Sequence, residues 1–264
     1  MTEKEKLFYW KSLTRQSLIT EKYVTKEILK YFKVTFEKLI NLVENYGTEE
    51  AINRLEIEED KKALLLLYGV IYLHIAKVSF PLFEARIKKE LNTDIANGFE
   101  YSLFVKKVQE LVNSVGPLQR VDSIINTTKE KIEKILTEAK TLNLTPSKLR
   151  TFIKKNLLGQ YSLNRSKLIA HVETSYIEAI SQEDSAIYVA RQLGILLEKS
   201  WIHVMDEKTR SAHRAVDTKY IPIEDKFNVG GYQAKMPFDP SLPLGLTIGC
   251  RCRCHYRKKE GGFI

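Results

Sequence analysis

Three cysteines, all of those in this 264-residue chain, stand in the run Cys250-Arg251-Cys252-Arg253-Cys254-His255. Three of the five histidines, His203, His213 and His255, lie in or beside the same stretch. Thiolates and imidazoles together suit zinc, which takes four such donors in a tetrahedron. His213 with Cys250, Cys252 and Cys254 would supply that number. The usual zinc spacing, however, puts two residues between cysteines on a turn, and here a single residue separates them. On a strand that spacing places all three thiols on one face and Arg251, Arg253 and His255 on the other. Buried cysteines also serve as small apolar side chains. Two readings stay open: a structural zinc, or thiols packed in a core. No cofactor is certain from the sequence, and a structural zinc is the one it offers.

Asp206, Thr209 and His213 recur at helical spacing. Asp206 is a good N-cap, and a short helix behind it would carry all three on one face. Such a cluster binds a metal, fixes the returning chain, or is a capped surface helix with a solvated histidine. As ligands, Asp206 and His213 would make a metal-dependent nuclease or toxin, but no second carboxylate pair stands beside them. The chain has no Gly-rich phosphate loop, no His-Glu-x-x-His, and no serine or cysteine nucleophile paired locally with a histidine. The expectation is a protein that is not an enzyme. His74 and His171 fall inside helical patterns and read as structural.

A third kind of chemistry is basic. Arg251, Arg253, Arg257, Lys258 and Lys259 stand together with no acid among them, suited to phosphate contact without sequence preference or to a solvated strand. The net charge of +9 is spread along the chain. It tolerates double-stranded DNA or an acidic partner and requires neither. A DNA-coating basic protein is therefore a further alternative.

The elements that must position these residues are mostly helical. Val24, Ile28, Phe32, Phe36, Leu39, Val43 and Tyr46 form one stripe of a long helix that Gly47 stops. Glu56 to Asp60 put negative charge at the start of the next, which is apolar nearly all round to Ser79 and kinked or ended by Pro81. His74, Lys77 and Pro81 interrupt its apolar run, so no membrane span is expected. A shorter helix covers about Tyr101 to Val112, and Gly116-Pro117 breaks the chain. Val121, Ile124, Ile125, Thr128, Ile132, Ile135, Leu136 and Ala139 mark another. Thr145-Pro146 reads as an N-cap with proline at the first position, opening a helix to Leu158. Two more segments fill Tyr161 to Leu193, closed by Gly194. Beyond Ser200 come three strand candidates, at Trp201–Val204, Tyr220–Ile223 and Cys250–Tyr256. The fold class is mainly α: a long helical N-terminal region followed by a small α+β C-terminal domain. The divisions expected are a helical arm at 1–144, a domain at 145–259 and a flexible tail at 260–264. With 44% apolar and 28% charged residues the chain is globular. Its charged opening carries no secretory signal, and an odd number of clustered cysteines argues for a reducing compartment.

The order of these pieces resembles the phage minor head proteins of the Mu protein F-like head morphogenesis family. Arg165 and Ala170-His171-Val172-Glu173-Thr174 match its first motif, with Val172 where the family has Arg. Trp201 follows, then Asp206, Thr209, Arg210 and His213, then Phe227. Pro237-Phe238-Asp239-Pro240 and Gly249-Cys250-Arg251-Cys252 finish the series, with Gly249 where the family has Asn. Tyr9-Trp10 ahead of a lysine-rich helix also looks like the start of such proteins. The resemblance implies a few-copy minor capsid protein that joins the procapsid, associates with the portal and with coat or scaffold protein, and accompanies DNA during packaging or ejection. It implies a place in the virion, in the capsid interior near the portal, and in the host cytoplasm during assembly.

Overall fold

The apolar stripe that starts at Val24 is the buried face of α1 (Glu3–Asn53), where Val24, Ile28, Phe32, Phe36, Leu39 and Val43 are all covered. Tyr46, assigned to the same stripe, is instead 51% exposed, with the Arg54 guanidinium 4.1 Å above its ring. Gly47 takes φ 81°, which interrupts the helical path before it resumes to Asn53. The computed structural model describes residues 2–55, 57–93, 101–216 and 218–263. Glu56, from the acidic stretch expected to open the second helix, and Ile264, from the expected tail, lie outside the described residues.

Helix α2 (Ile57–Glu90) runs through Pro81 without ending. It buries Leu64, Tyr68, Ile71, Tyr72, Ile75 and Ala76 and leaves Leu66 and Val70 exposed. Among the described residues it is the one helix long and apolar enough to cross a bilayer, over Glu59–Glu90, and 44% of its most apolar window is buried inside the protein. Core helices meet that composition test too.

Helix α3 (Tyr101–Val112) has the bounds its pattern predicts. Gly116-Pro117 does not break the chain as expected. It sits in the first turn of α4 (Val115–Thr141), where a proline forfeits no intrahelical bond. Every residue of the α4 stripe named above is buried. Thr145 caps α5 (Pro146–Leu157) by backbone geometry alone, its hydroxyl making no cap bond, and Pro146 takes the first helical position. Where two segments were expected, α6 (Gln160–Leu193) is one helix of 34 residues. No glycine or proline interrupts it until Gly194 turns the chain at φ 62°.

The remainder is β1 (Ile195–Ile202), α7 (Ser211–Arg214), β2 (Ile221–Pro222), β3 (Phe227–Val229), β4 (Tyr232–Ala234), α8 (Leu244–Thr247) and β5 (Arg253–Phe263). β2, β1 and β5 form an antiparallel sheet in that order, and β3 with β4 a hairpin. Pro222 lies on the edge strand, where its missing N–H costs no ladder bond. The protein is thus mainly α with a small α+β C-terminal part.

Contacts group the chain into two units, one made of residues 1–21, 72–110 and 171–264 and the other of 22–71 and 111–170. A single cut at 144 does not describe this grouping, because α1, α2 and α6 each give one end to either unit. In the first unit Tyr9, Leu13, Phe83 and Ile202 share a buried cluster with Trp10 against it, so the start of the chain belongs with the sheet. The stretch from 260 is not a loose tail: Phe263 pairs with Ile195, and β5 reaches that far. In the second unit Phe36 and Tyr161 meet with ring centres 6.4 Å apart, and Arg165 donates to the Ile124 carbonyl (3.3 Å) and to the Thr127 hydroxyl.

Candidate functional site

Strand alternation sorts the chemistry of the first unit onto two faces. Lys199 pairs with Tyr256, Ser200 with His255, Trp201 with Cys254 and Ile202 with Arg253. Partners across an antiparallel ladder share a face, so Lys199, Trp201, Cys254 and Tyr256 point one way. Ser200, Ile202, Arg253 and His255 point the other. Trp201 is fully buried, with Phe227 edge-on at 5.4 Å and the His213 ring edge-on at 6.0 Å. Tyr9 meets His255 on the opposite face at 4.8 Å.

The strand expected from Cys250 begins only at Arg253. Cys250, Arg251 and Cys252 form a loop whose carbonyls are taken by side chains instead of by a neighbouring strand. His171 Nε2 donates to Cys250 O (2.8 Å), Trp10 Nε1 to Arg251 O (2.7 Å) and Arg253 Nη1 to Cys252 O (3.0 Å). Arg210 Nη2 donates to Ile248 O at 2.6 Å, and Gln182 and Tyr9 both donate to Cys254 O. Buried carbonyls must find donors, and four segments of chain supply them: α1, α6, the turn at Arg210 and the start of β5. This separates the thiols. Cys254 stays on the strand beside Lys199 and Glu183, its pKa pushed up to about 12 by burial. Cys250 and Cys252 turn toward His213. The shared face expected for all three thiols is lost because the first two are not in the sheet.

His213, Cys250 and Cys252 are each only 2% exposed. Imidazole Nδ1 lies 3.6 Å from Cys250 Sγ and 3.4 Å from Cys252 Sγ, and the Cys252 N–H donates to Cys250 Sγ at 3.4 Å. A hydrogen bond from Cys252 holds the Cys250 thiol well below the usual thiol range despite burial. The same pairing, with desolvation, holds Cys252 well above it. One proton is therefore easily lost from the pair and the second is held. These three are the cluster of metal-ligand type among the described residues. Cys254 does not belong to it.

Asp206 does not cap a helix. Helix α7 starts at Ser211 behind Arg210, and Asp206 to Thr209 form a turn in which Thr209 donates to Val204 O (2.5 Å) and Asp206 Oδ1 (3.1 Å). The Asp206 carboxylate takes both arms of Arg251, at 2.7 and 2.6 Å, and that guanidinium holds its pKa well below the carboxylate range. A carboxylate occupied in this way is not offered to a metal beside His213, which removes the nuclease geometry. The turn at Pro237, Asp239 and Pro240 is closed by Asp239, which accepts from the Lys235 and Ser241 N–H groups, and buries Phe238. Glu173, 1% exposed, accepts from Tyr72 Oη at 2.5 Å, and Thr174 is buried next to it.

The basic run is also divided. Arg251 is spent on Asp206, and Arg253 is 8% exposed and directed inward, so neither is presented to a phosphate. Arg257 is exposed but pairs with Glu198 at 2.9 Å and lies 3.6 Å over the Tyr220 ring. Lys258 and Lys259 are exposed on β5.

Sequence reasoning gave no role to a buried polar group behind the loop. Ser17 and Glu178 are 2.5 Å apart, Arg253 Nη2 reaches Ser17 at 3.4 Å, and Glu21 meets His171 Nδ1 at 2.9 Å. Burial alone would lower the His171 pKa, but Glu21 and the Cys250 carbonyl outweigh it and raise it, as expected of an imidazolium donating at both nitrogens. The readable signal was Glu178 and Gln182 one turn apart on a helix face that also carries Thr174, Ser175, Ser181 and Ser185, polar side chains that are all buried.

A helical protein closing on a small α+β unit, where a tryptophan strand, a histidine turn and a Cys-x-Cys loop meet, is the class that fold and site define. The family model described as Phage Mu protein F like protein matches residues 85–256, well over half of the chain, and the chain belongs to that family. It is similar to Minor head protein GP7 of Bacillus phage SPP1, at 28% identity over 96 residues, which are 36% of this chain and 30% of that protein. It is also similar to the NAD(+)–arginine ADP-ribosyltransferase EFV of Enterococcus faecalis, at 27% identity over 94 residues, 34% of this chain and 18% of that protein. The chain thus spans less than a third of either relative. No solved structure matches it.

Proposed function

We propose that this protein serves phage head morphogenesis as a minor head protein that joins the procapsid and binds the portal. The observation that carries the reading is the family match over residues 85–256, which covers Trp201, Asp206, Thr209, Arg210, His213, Pro237, Asp239, Pro240, Cys250, Arg251 and Cys252. Support comes from the minor head protein of phage SPP1 among its relatives. The site is compatible with a structural role: its polar groups hold one loop to several segments, and its carboxylates are paired or buried. On this reading the protein is not an enzyme, and it resides in the virion after assembly in the host cytoplasm. The transferase activity in the other relative's name belongs to a protein of which 18% is aligned, and nothing in the site here calls for it.

The test is co-sedimentation of the full chain with the portal protein and with procapsids of the same phage, and its detection in purified virions. Co-sedimentation with portal and presence in virions are expected. Absence from both would end the proposal.

A further inference from the structure

We infer that His213, Cys250 and Cys252 form a three-ligand site for a thiophilic divalent ion of the zinc type, with one water completing the shell. The inference is independent of a role in head assembly.

Spacing is the first ground. A tetrahedral zinc with ordinary bond lengths sets sulfur and nitrogen donors roughly 3.5 Å apart. Here Nδ1 faces the two sulfurs at 3.4 and 3.6 Å. Donor type is the second. Two sulfurs and an imidazole, with no oxygen donor in the cluster, favour zinc over magnesium or calcium. Preorganisation is the third. The loop is fixed through its carbonyls by His171, Trp10 and Arg253, and the Cys252 N–H already points at the Cys250 sulfur, where it would stabilise a thiolate. Such outer contacts orient metal ligands.

With the ion at Nδ1 the ring proton sits on Nε2, which has no hydrogen-bond partner among the described residues, so the metal bond has to outweigh one unpaired buried donor. Two groups that could complete the shell are excluded. Cys254 lies on the strand beside Lys199 and Glu183, and the Asp206 carboxylate is held by Arg251. A cavity of about 10 Å³ adjoins the three ligands, lined also by Val204, Thr209, Arg210 and Gly249. That is about the room one water takes.

The experiment uses the full chain without a histidine tag. The protein is stripped with a chelator under reducing conditions, then reconstituted with zinc or cobalt(II). About one zinc per chain is expected, and the cobalt form should show a thiolate-to-cobalt charge-transfer band with tetrahedral visible bands. Cys250→Ser and Cys252→Ser should lose the ion and the band, whereas Cys254→Ser should keep both. No zinc uptake by the wild type, a cobalt spectrum without thiolate charge transfer, or loss in Cys254→Ser as complete as in Cys252→Ser would each overturn the assignment. A serine variant that fails to fold would also lose the ion, so near-ultraviolet circular dichroism accompanies each. The wild-type cobalt spectrum decides on its own.

Discussion

Glu178 is the group on which the buried network can be tested quantitatively. Its carboxyl is 4% exposed, and burial pushes its pKa to about 7, with the Arg253 charge and the Ser17 hydrogen bond pulling the other way. Proton counting agrees. Ser17 has one hydroxyl hydrogen and faces both the Leu13 carbonyl (3.1 Å) and Glu178 (2.5 Å), so a protonated Glu178 lets both oxygens be served. A carboxyl whose folded pKa lies above its unfolded value binds its proton more tightly when folded. Its contribution is full below about pH 4.5 and is lost as pH rises through about 7. At about 1.4 kcal/mol per pH unit that interval corresponds to on the order of 3 kcal/mol. Glu178→Gln keeps the shape and the hydrogen-bonding of the neutral acid without the titration. Measured by urea unfolding, the variant should be near wild-type stability or slightly below it at pH 5. It should gain on wild type by about 2–3 kcal/mol by pH 8. Parallel stability curves for the two proteins from pH 5 to 8 would show that Glu178 is ionised throughout and that the reasoning is wrong.

Trp201→Ala should cost about 3–5 kcal/mol, the usual range for emptying a fully buried indole site; a loss below about 1 kcal/mol in the same unfolding assay would contradict the packing against Phe227 and His213. Gly249 stands at φ +68° with nothing within 4 Å of a built Cβ, so Gly249→Ala should cost about 1 kcal/mol through the backbone alone. Gly249→Asn should cost clearly less, since Asn tolerates that region; equal losses would show that something other than φ selects the residue.

The helical stripes, the proline that opens α5, the glycine that ends α6 and the mainly α class were legible along the chain, because each depends on neighbours within a few residues. So was the gathering of chemistry near His213 and Cys250 to Cys252, through residue type and order. What pattern alone misjudged were the places where long-range bonds outrank local preference. Period two placed Cys250 and Cys252 on a strand, but His171 and Trp10 hold their loop out of the sheet. Helical spacing made Asp206 a cap, but Arg251, 45 residues away, claims its carboxylate. Tyr9 and Trp10 could be noticed at the start of the chain without any hint that they close a loop some 240 residues later. Local periodicity records which face is buried. It carries no record of which distant donor will meet a buried carbonyl or carboxylate, and in this protein those meetings decide which thiols face the imidazole.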